Sequence, residues 1–501
     1  MMCQTSSKGF NMSKSMWLAA GSITLIGAFF VFGSGKSVVH ARESVTFAED
    51  VAPIVFSKCA SCHRPGEAAP FSLMTYEAVK RRGTLIAKAV TSRAMPPWKA
   101  VASDYAYKGD RRLSDAEIDT IKRWVDAGMP EGDAAKMPAI PDFTPGWQLG
   151  PPDLVVSMSE PFDVPAYGPD VYRNFVVPLN LKEDQWVRAV DFRPSARSVV
   201  HHSLFFLDGT GTARAADARD PKPGFPGEMG GFSGARGQLI KMLSGGNLAG
   251  RTSANSAMTD ESRAVGTLGG WALGANAKAL PDGLAFFVPK EADLVLSTHF
   301  HPSGKVEHEA STIGLYFAAA APTQAFAGLA LPPLFGVFEG IDIPPGEKDY
   351  TIRDSFTLPI DVKAFNVGAH AHYLAKKMKL TATFPDGTTK TLLQIDDWDF
   401  AWQDQYPFEE FVSLPKGTRL DGWITYDNSP DNPRNPSNPA KRVTWGEQST
   451  DEMGSVGLLV VAAREDEMTT LQDVYAQHVR QAAMTRPGLR RLMMSLPQRP
   501  R

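Results

Sequence analysis

Cysteine is almost missing from this chain: three in 501 residues, two of them inside the single run Cys59-Ala-Ser-Cys62-His63. A disulfide framework is thereby excluded, and stability has to come from packed cores. An excess of either charge is missing too, with 52 Lys and Arg against 55 Asp and Glu and a net charge of −3. No basic stripe interleaves with aromatics, so no nucleic-acid partner is expected. The 38 Pro and 43 Gly disfavour long helices after the first quarter and favour short strands joined by turns. The length exceeds what one core fills and suggests roughly two to four domains.

What is present begins with a leader. Lys8 and Lys14 precede an uncharged, largely apolar run from Trp17 to Gly33, and no acid occurs before Glu43. Small residues at Val39-His40-Ala41 fit a secretory signal spanning residues 1–41, cleaved after Ala41. The alternative is an uncleaved membrane anchor. Both place the body outside the cytoplasm, in the periplasm, because positive charge stays inside.

Residues 45–130 read as a small all-α domain. Ser114-Asp-Ala-Glu117 is a capping box, Leu113 and Ile118 can staple it, and Gly128 stops the helix. A Pro-rich connector at 131–152 reads as a linker. From Asp153 the pattern changes to β-rich runs, among them Tyr172–Leu179, Ser198–Leu207, Leu294–Phe300 and Phe365–Ala371. Pro385-Asp-Gly-Thr388, between two of the later runs, is a hairpin signal. Two β-sandwich domains are expected, at 153–325 and 326–465. Residues 209–265 read as a Gly- and Arg-rich surface insertion, and 466–501 as a helical tail with a basic end.

Two groups of residues carry chemistry. Cys59, Cys62 and His63 form a CxxCH, with two thiols for thioether bonds to haem vinyls and a histidine for the iron. The sixth ligand is sought among Met74, Met95 and Met129. Met95 is favoured, since Pro96 and Pro97 stiffen the loop that presents it. The second group is histidine. Seven of the ten lie between 201 and 372, as His201-His202, His299-Phe-His301 with His308, and His370-Ala-His372. His-x-His on a strand puts both rings on one face, whereas an adjacent pair needs a bulge to share an ion. Imidazole sites suit zinc, copper, iron or nickel, and a thioether tips the choice to copper.

Leu113–Gly128 resembles the C-terminal helix of class I c-type cytochromes. From Asp153 to about Val461 the chain resembles the copper type II, ascorbate-dependent monooxygenases, the family of peptidylglycine α-hydroxylating and dopamine β-monooxygenases. Val200-His201-His202-Ser-Leu-Phe-Phe resembles the His pair of the electron-transfer copper. Leu294-Val-Leu-Ser-Thr-His299 resembles the strand of its third ligand, which favours His299 over His301. Val367-Gly-Ala-His370-Ala-His372 and Ser449-Thr-Asp-Glu-Met453 resemble the segments that hold the catalytic copper.

The resemblance implies jelly-roll-like β-sandwich copper domains, two copper ions, and hydroxylation of a C–H bond with O2. His370, His372 and Met453 would form the catalytic set. Ascorbate, another external electron donor, or the fused haem c would supply electrons to act on an unknown organic substrate. The family's substrate-anchoring Arg is Gly368 here, and Ser455 and Gly457 replace the Asn and Tyr expected after the Met. A peptide ending in glycine is therefore not the expected substrate. Two other readings use the same residues: an electron-transfer or copper-handling protein without oxygenase chemistry, and a zinc hydrolase.

Overall fold

Alternating apolar and polar residues, broken every few positions by Gly or Pro, build antiparallel sheets with one buried face. In the computed structural model these dominate the chain. The structure describes residues 45–488 except 66, 68, 102, 144–145, 228–264, 273–274 and 447. The leader, most of the 209–265 insertion and the basic end of the tail lie outside the described residues. Among those described, no helix is long and apolar enough to cross a membrane.

Helices Ala52–Lys58, Tyr76–Lys80, Gly83–Thr91 and Asp115–Asp126 surround a core centred on Phe47, Val55, Ile121 and Trp124. The capping box forms as the sequence predicts: the Ser114 hydroxyl accepts from Glu117 N–H, and Glu117 accepts from Ser114 N–H at 2.7 Å. This segment is not all helix. Residues 98–108 leave it as an extended arm, and Trp98, Ala100 and Tyr107 join the core of the sheets near the C-terminus. Val101 N–H donates to Gln394 O at 2.9 Å, and Lys108 N–H to Pro407 O at 2.8 Å.

The Pro-rich connector is also fastened. Gln148 N–H donates to Asp191 at 2.7 Å, Gly150 O accepts from Tyr316 at 2.8 Å, and Arg193 lies over Trp147. The expected linker is a docked strap, because its polar backbone finds partners on the sheet it crosses.

The first β region has a four-stranded sheet ordered Leu154–Ser157, Thr312–Phe317, Gln185–Arg193, Phe286–Val288. It also has a five-stranded sheet ordered Phe225–Pro226, Val171–Pro178, Asp293–Phe300, Val200–Asp208, Val265–Ala272. One apolar core includes residues from both sheets, with Phe175, Phe205, Leu296 and Phe300 against Phe192, Ile313 and Leu315. Part of the expected 209–265 insertion is therefore structural, since it holds helix Thr212–Asp217 and strand Phe225–Pro226, which edges the second sheet.

The second β region repeats the plan. One sheet runs Phe326–Leu331, Gly454–Ala462, Val362–Ala371, Gln405–Leu414, and the other Tyr350–Thr357, Arg419–Tyr426, Ala375–Thr383, Thr389–Ile395. The predicted hairpin closes at Gly387, whose φ of 87° is the left-handed conformation that a glycine adopts freely. Helix Met468–Thr485 caps this region. His478 bonds Asp354 at 2.9 Å, and Arg486 pairs with Asp354 and Glu339.

Candidate metal centres

His201 and His202 sit at the start of strand Val200–Asp208, beside His299 on the central strand Asp293–Phe300. The ladder slips between Val200 and His202, and His202 is registered against His299. That slip is the bulge that adjacent histidines need in order to face one point. One ligand atom from each of the three rings lies within 4.8 Å of the others. His201 Nδ1 and His202 Nδ1 are 3.1 Å apart. Two nitrogens held about 2.0–2.1 Å from one ion, at an angle between right and tetrahedral, stand about 2.9–3.4 Å apart. His299 Nε2 is 2.8 Å from Asp170, while its Nδ1 is buried with no partner. A buried unpartnered ring nitrogen aimed at two others is costly unless it has a ligand to bind. One nitrogen from each ring can therefore reach one ion, with Nδ1 the unpartnered atom of His299, and Asp170 orients His299 as carboxylates orient metal-bound imidazoles.

The other histidines divide sharply. His301, two residues on, is 67% exposed and bonds Asp170 from outside, and His308 is 70% exposed beside Asp163. Neither joins the cluster.

His370 and His372 lie where strand Val362–Ala371 ends, and Met453 directly precedes the paired strand Gly454–Ala462. His370 Nδ1 donates to Gln403 Oε1 at 2.6 Å, and His372 Nδ1 donates to Asp451 O at 3.2 Å. Each outer nitrogen is thus held by an acceptor, which leaves the two Nε2 lone pairs for an ion. His370 Nε2 is 3.1 Å from Met453 Sδ. A sulfur about 2.3 Å and a nitrogen about 2.0–2.1 Å from one ion, near a right angle, are about 3.1 Å apart.

The backbone of this site is pinned from several sides. Glu452, fully buried, accepts from the N–H groups of His372, Leu374 and Met453 at 2.5–3.2 Å. Trp398 Nε1 donates to His372 O, and Tyr426 Oη to Met453 O, both at 3.1 Å.

Burial keeps four of these imidazoles, His201, His202, His370 and His372, neutral. It lowers His201 to about 3 and His370 to about 4, and it holds His202 and His372 well below the ordinary value, with help from neighbouring rings. Burial alone would raise the Asp170 carboxyl, but the bonds from His299, His301 and Ser449 hold it well below the usual range. Protons therefore compete with a metal only in acid. Metal affinity of the His370, His372 and Met453 set, measured by chelator competition and corrected for the chelator's own protonation, should change little between pH 7 and about 5. It should fall as pH approaches about 4. A loss that begins near pH 6.5, as for exposed histidine, would contradict this electrostatic reading.

In the helical segment, Cys59 and Cys62 are free thiols at the end of helix Ala52–Lys58, and burial pushes Cys59 up to about 12. His63 Nδ1 donates to Phe71 O at 3.1 Å, and its Nε2 has no hydrogen-bond partner among the described residues. That tautomer leaves the Nε2 lone pair free to bind a metal. Met95, half-buried, follows helix Gly83–Thr91 and precedes the arm. Met129 is spoken for: its sulfur fills the space beside Gly83, over Trp124.

Sequence reading did not find Asp170, Phe400 or Gln403. Each is a single residue whose role exists only through contacts distant in the chain. Glu452 lies inside the quoted Ser-Thr-Asp-Glu-Met run, yet spacing gave it no task.

No protein-family model matches the chain, and no curated protein does. Among solved structures it is similar to the VP2 subviral particle of infectious bursal disease virus. Identity is 9% and TM-score 0.17, covering 65% of this chain and 74% of that one. It is also similar to PNGF-II, at 9% identity and TM-score 0.24, covering 62% of this chain and 65% of that one. The site is therefore read from its own residues.

Proposed function

We propose that this chain is an exported copper monooxygenase, with a c-type cytochrome domain at 45–130 and two jelly-roll-like copper domains behind it. One observation supports this most. Three imidazoles and a second set of two imidazoles with a thioether lie in one molecule, with His201, His202, His370 and His372 held neutral by burial and most outer nitrogens held. A thioether beside imidazoles favours copper over zinc. Copper held by these residues would supply the one-electron chemistry with O2 that side chains lack, and Cys59, Cys62, His63 and Met95 would hold a haem c able to store an electron.

The remaining work belongs to the chain. Gln403 and Asp451 O keep His370 and His372 as Nε2 donors. Asp170 keeps His299 as an Nδ1 donor. Trp398 and Phe400 wall the site with apolar surface that excludes water, which strengthens every polar contact inside. At Gly368 there is no side chain to anchor a substrate carboxylate, and the end of the Gln405 side chain occupies the space a Cβ would take. At Gly457 a Cβ would stand 2.8 Å from Leu329 O, which leaves no room for a tyrosine. A carboxylate clamp is therefore not supplied from these two positions.

The copper-loaded protein should be given ascorbate, 18O2 and a panel of uncharged C–H substrates. The expected product carries one 18O atom, and its formation disappears in Met453→Ala. Oxygen consumption with no labelled product across the panel would favour the electron-transfer reading. The haem is tested separately. Denatured protein should retain a c-type pyridine haemochrome that Cys59→Ala/Cys62→Ala abolishes, and Met95→Ala should remove any sulfur-to-iron band.

A further inference from the structure

A single aromatic ring separates the two donor sets. Phe400 is 2% exposed. Its ring is stacked on His201 at 4.8 Å and 26°, and it lies 6.0 Å from His299 and 5.5 Å from His372. The His201 and His372 rings are thus at most about 10 Å apart, the two legs through Phe400 laid end to end. Phe400 is thus a buried ring in contact with imidazoles of both sets.

The loop that carries this ring is fastened to every neighbour. Trp398 holds His372 O, and Gln403 holds His370 while donating to Phe400 O at 3.1 Å. Asp404 pairs with Arg111 of the helical segment at 2.7 Å and with Lys278 of the first β region. Asp170 closes the same gap from the other side by bonding both His299 and Ser449, four residues before Met453.

We propose that Phe400 is the coupling residue through which an electron passes from the His201/His202/His299 centre to the His370/His372/Met453 centre. The proposal rests on the two-copper reading. In the step, Cu(I) at the first centre becomes Cu(II) and the second centre gains that electron, with no bond made or broken and no proton moved. A ring in contact with ligand imidazoles on both sides replaces a through-space gap with packed atoms. Its four-sided anchoring fixes the geometry, so little rearrangement accompanies each transfer.

The test uses the full chain with copper at both sites, fully oxidised and anaerobic. Half an equivalent of a one-electron reductant is added, and freeze-quench EPR follows the two Cu(II) signals as the electron redistributes. Phe400→Leu should keep both coppers and both signals but slow redistribution on the order of 10- to 100-fold, the scale of loss when a reacting pair is displaced. Phe400→Tyr, which keeps the ring, should match the wild type. An unchanged rate in Phe400→Leu would overturn the coupling role. So would loss of either copper in that variant, which would make the ring a packing element of the metal sites. Failure of the wild type to show two copper signals would instead overturn the two-copper reading.

Discussion

His299→Ala should bind one copper fewer than the wild type, while His301→Ala should bind as many. The two residues are neighbours on one sequence motif and share Asp170, yet only His299 is buried with an unpartnered nitrogen beside His201 and His202. Removing it takes away a ligand and leaves two rings that cannot hold the ion alone. Asp170→Asn makes a graded comparison: it keeps the ligand and weakens its orientation, so affinity should fall about 10- to 100-fold. His372→Ala should empty the other site and abolish turnover while the first site stays filled. Copper per chain after gel filtration, read by atomic absorption, checks all four variants. Retention of copper in His299→Ala with loss in His301→Ala would reverse the ligand choice.

Glu452→Ala should be among the most destabilising single changes in the protein, at about 4–5 kcal/mol. The carboxyl lies at 0% exposure, and burial pushes it up to about 8 against the pull of the backbone N–H groups around it. Alanine would orphan at least three buried N–H groups, each worth about 1–3 kcal/mol, and would leave a cavity. The loss also has a functional direction. His372 follows strand Val362–Ala371 and Met453 precedes strand Gly454–Ala462, and Glu452 holds the backbone of both. Copper at that site should therefore weaken even in molecules that remain folded. Glu452→Gln should cost roughly half as much, because one acceptor oxygen survives while the new NH2 faces N–H groups. Chemical unfolding with copper titration checks this, and a Glu452→Ala variant as stable as wild type would contradict it.

The sequence made the donors legible before their surroundings. His-x-His on a strand and an adjacent pair needing a bulge are statements about period two, and the sheets obey them. β-rich runs such as Leu294–Phe300, buried along the whole of strand Asp293–Phe300, stood out. Gln405–Leu414 did not, because it is an edge strand and tolerates Pro407, Glu409 and Glu410. Gly454–Ala462 was hidden by its glycines, which lie under neighbouring strands where no Cβ fits. The arm at 98–108 was unreadable for a different reason. Trp98 and Tyr107 are apolar enough for any core, and only the position of a sheet some 290 residues later decides which one they enter. Phe400 and Asp170 carry no pattern at all, since their meaning is proximity.

The central claim is two unlike copper sites in one haem-bearing chain. Metal analysis with EPR on the purified, exported protein tests it most directly. The account predicts two copper ions for each haem iron and two distinguishable Cu(II) signals, one of which vanishes in His372→Ala. Two zinc ions and no copper, or a single copper unaffected by His372→Ala, would contradict it.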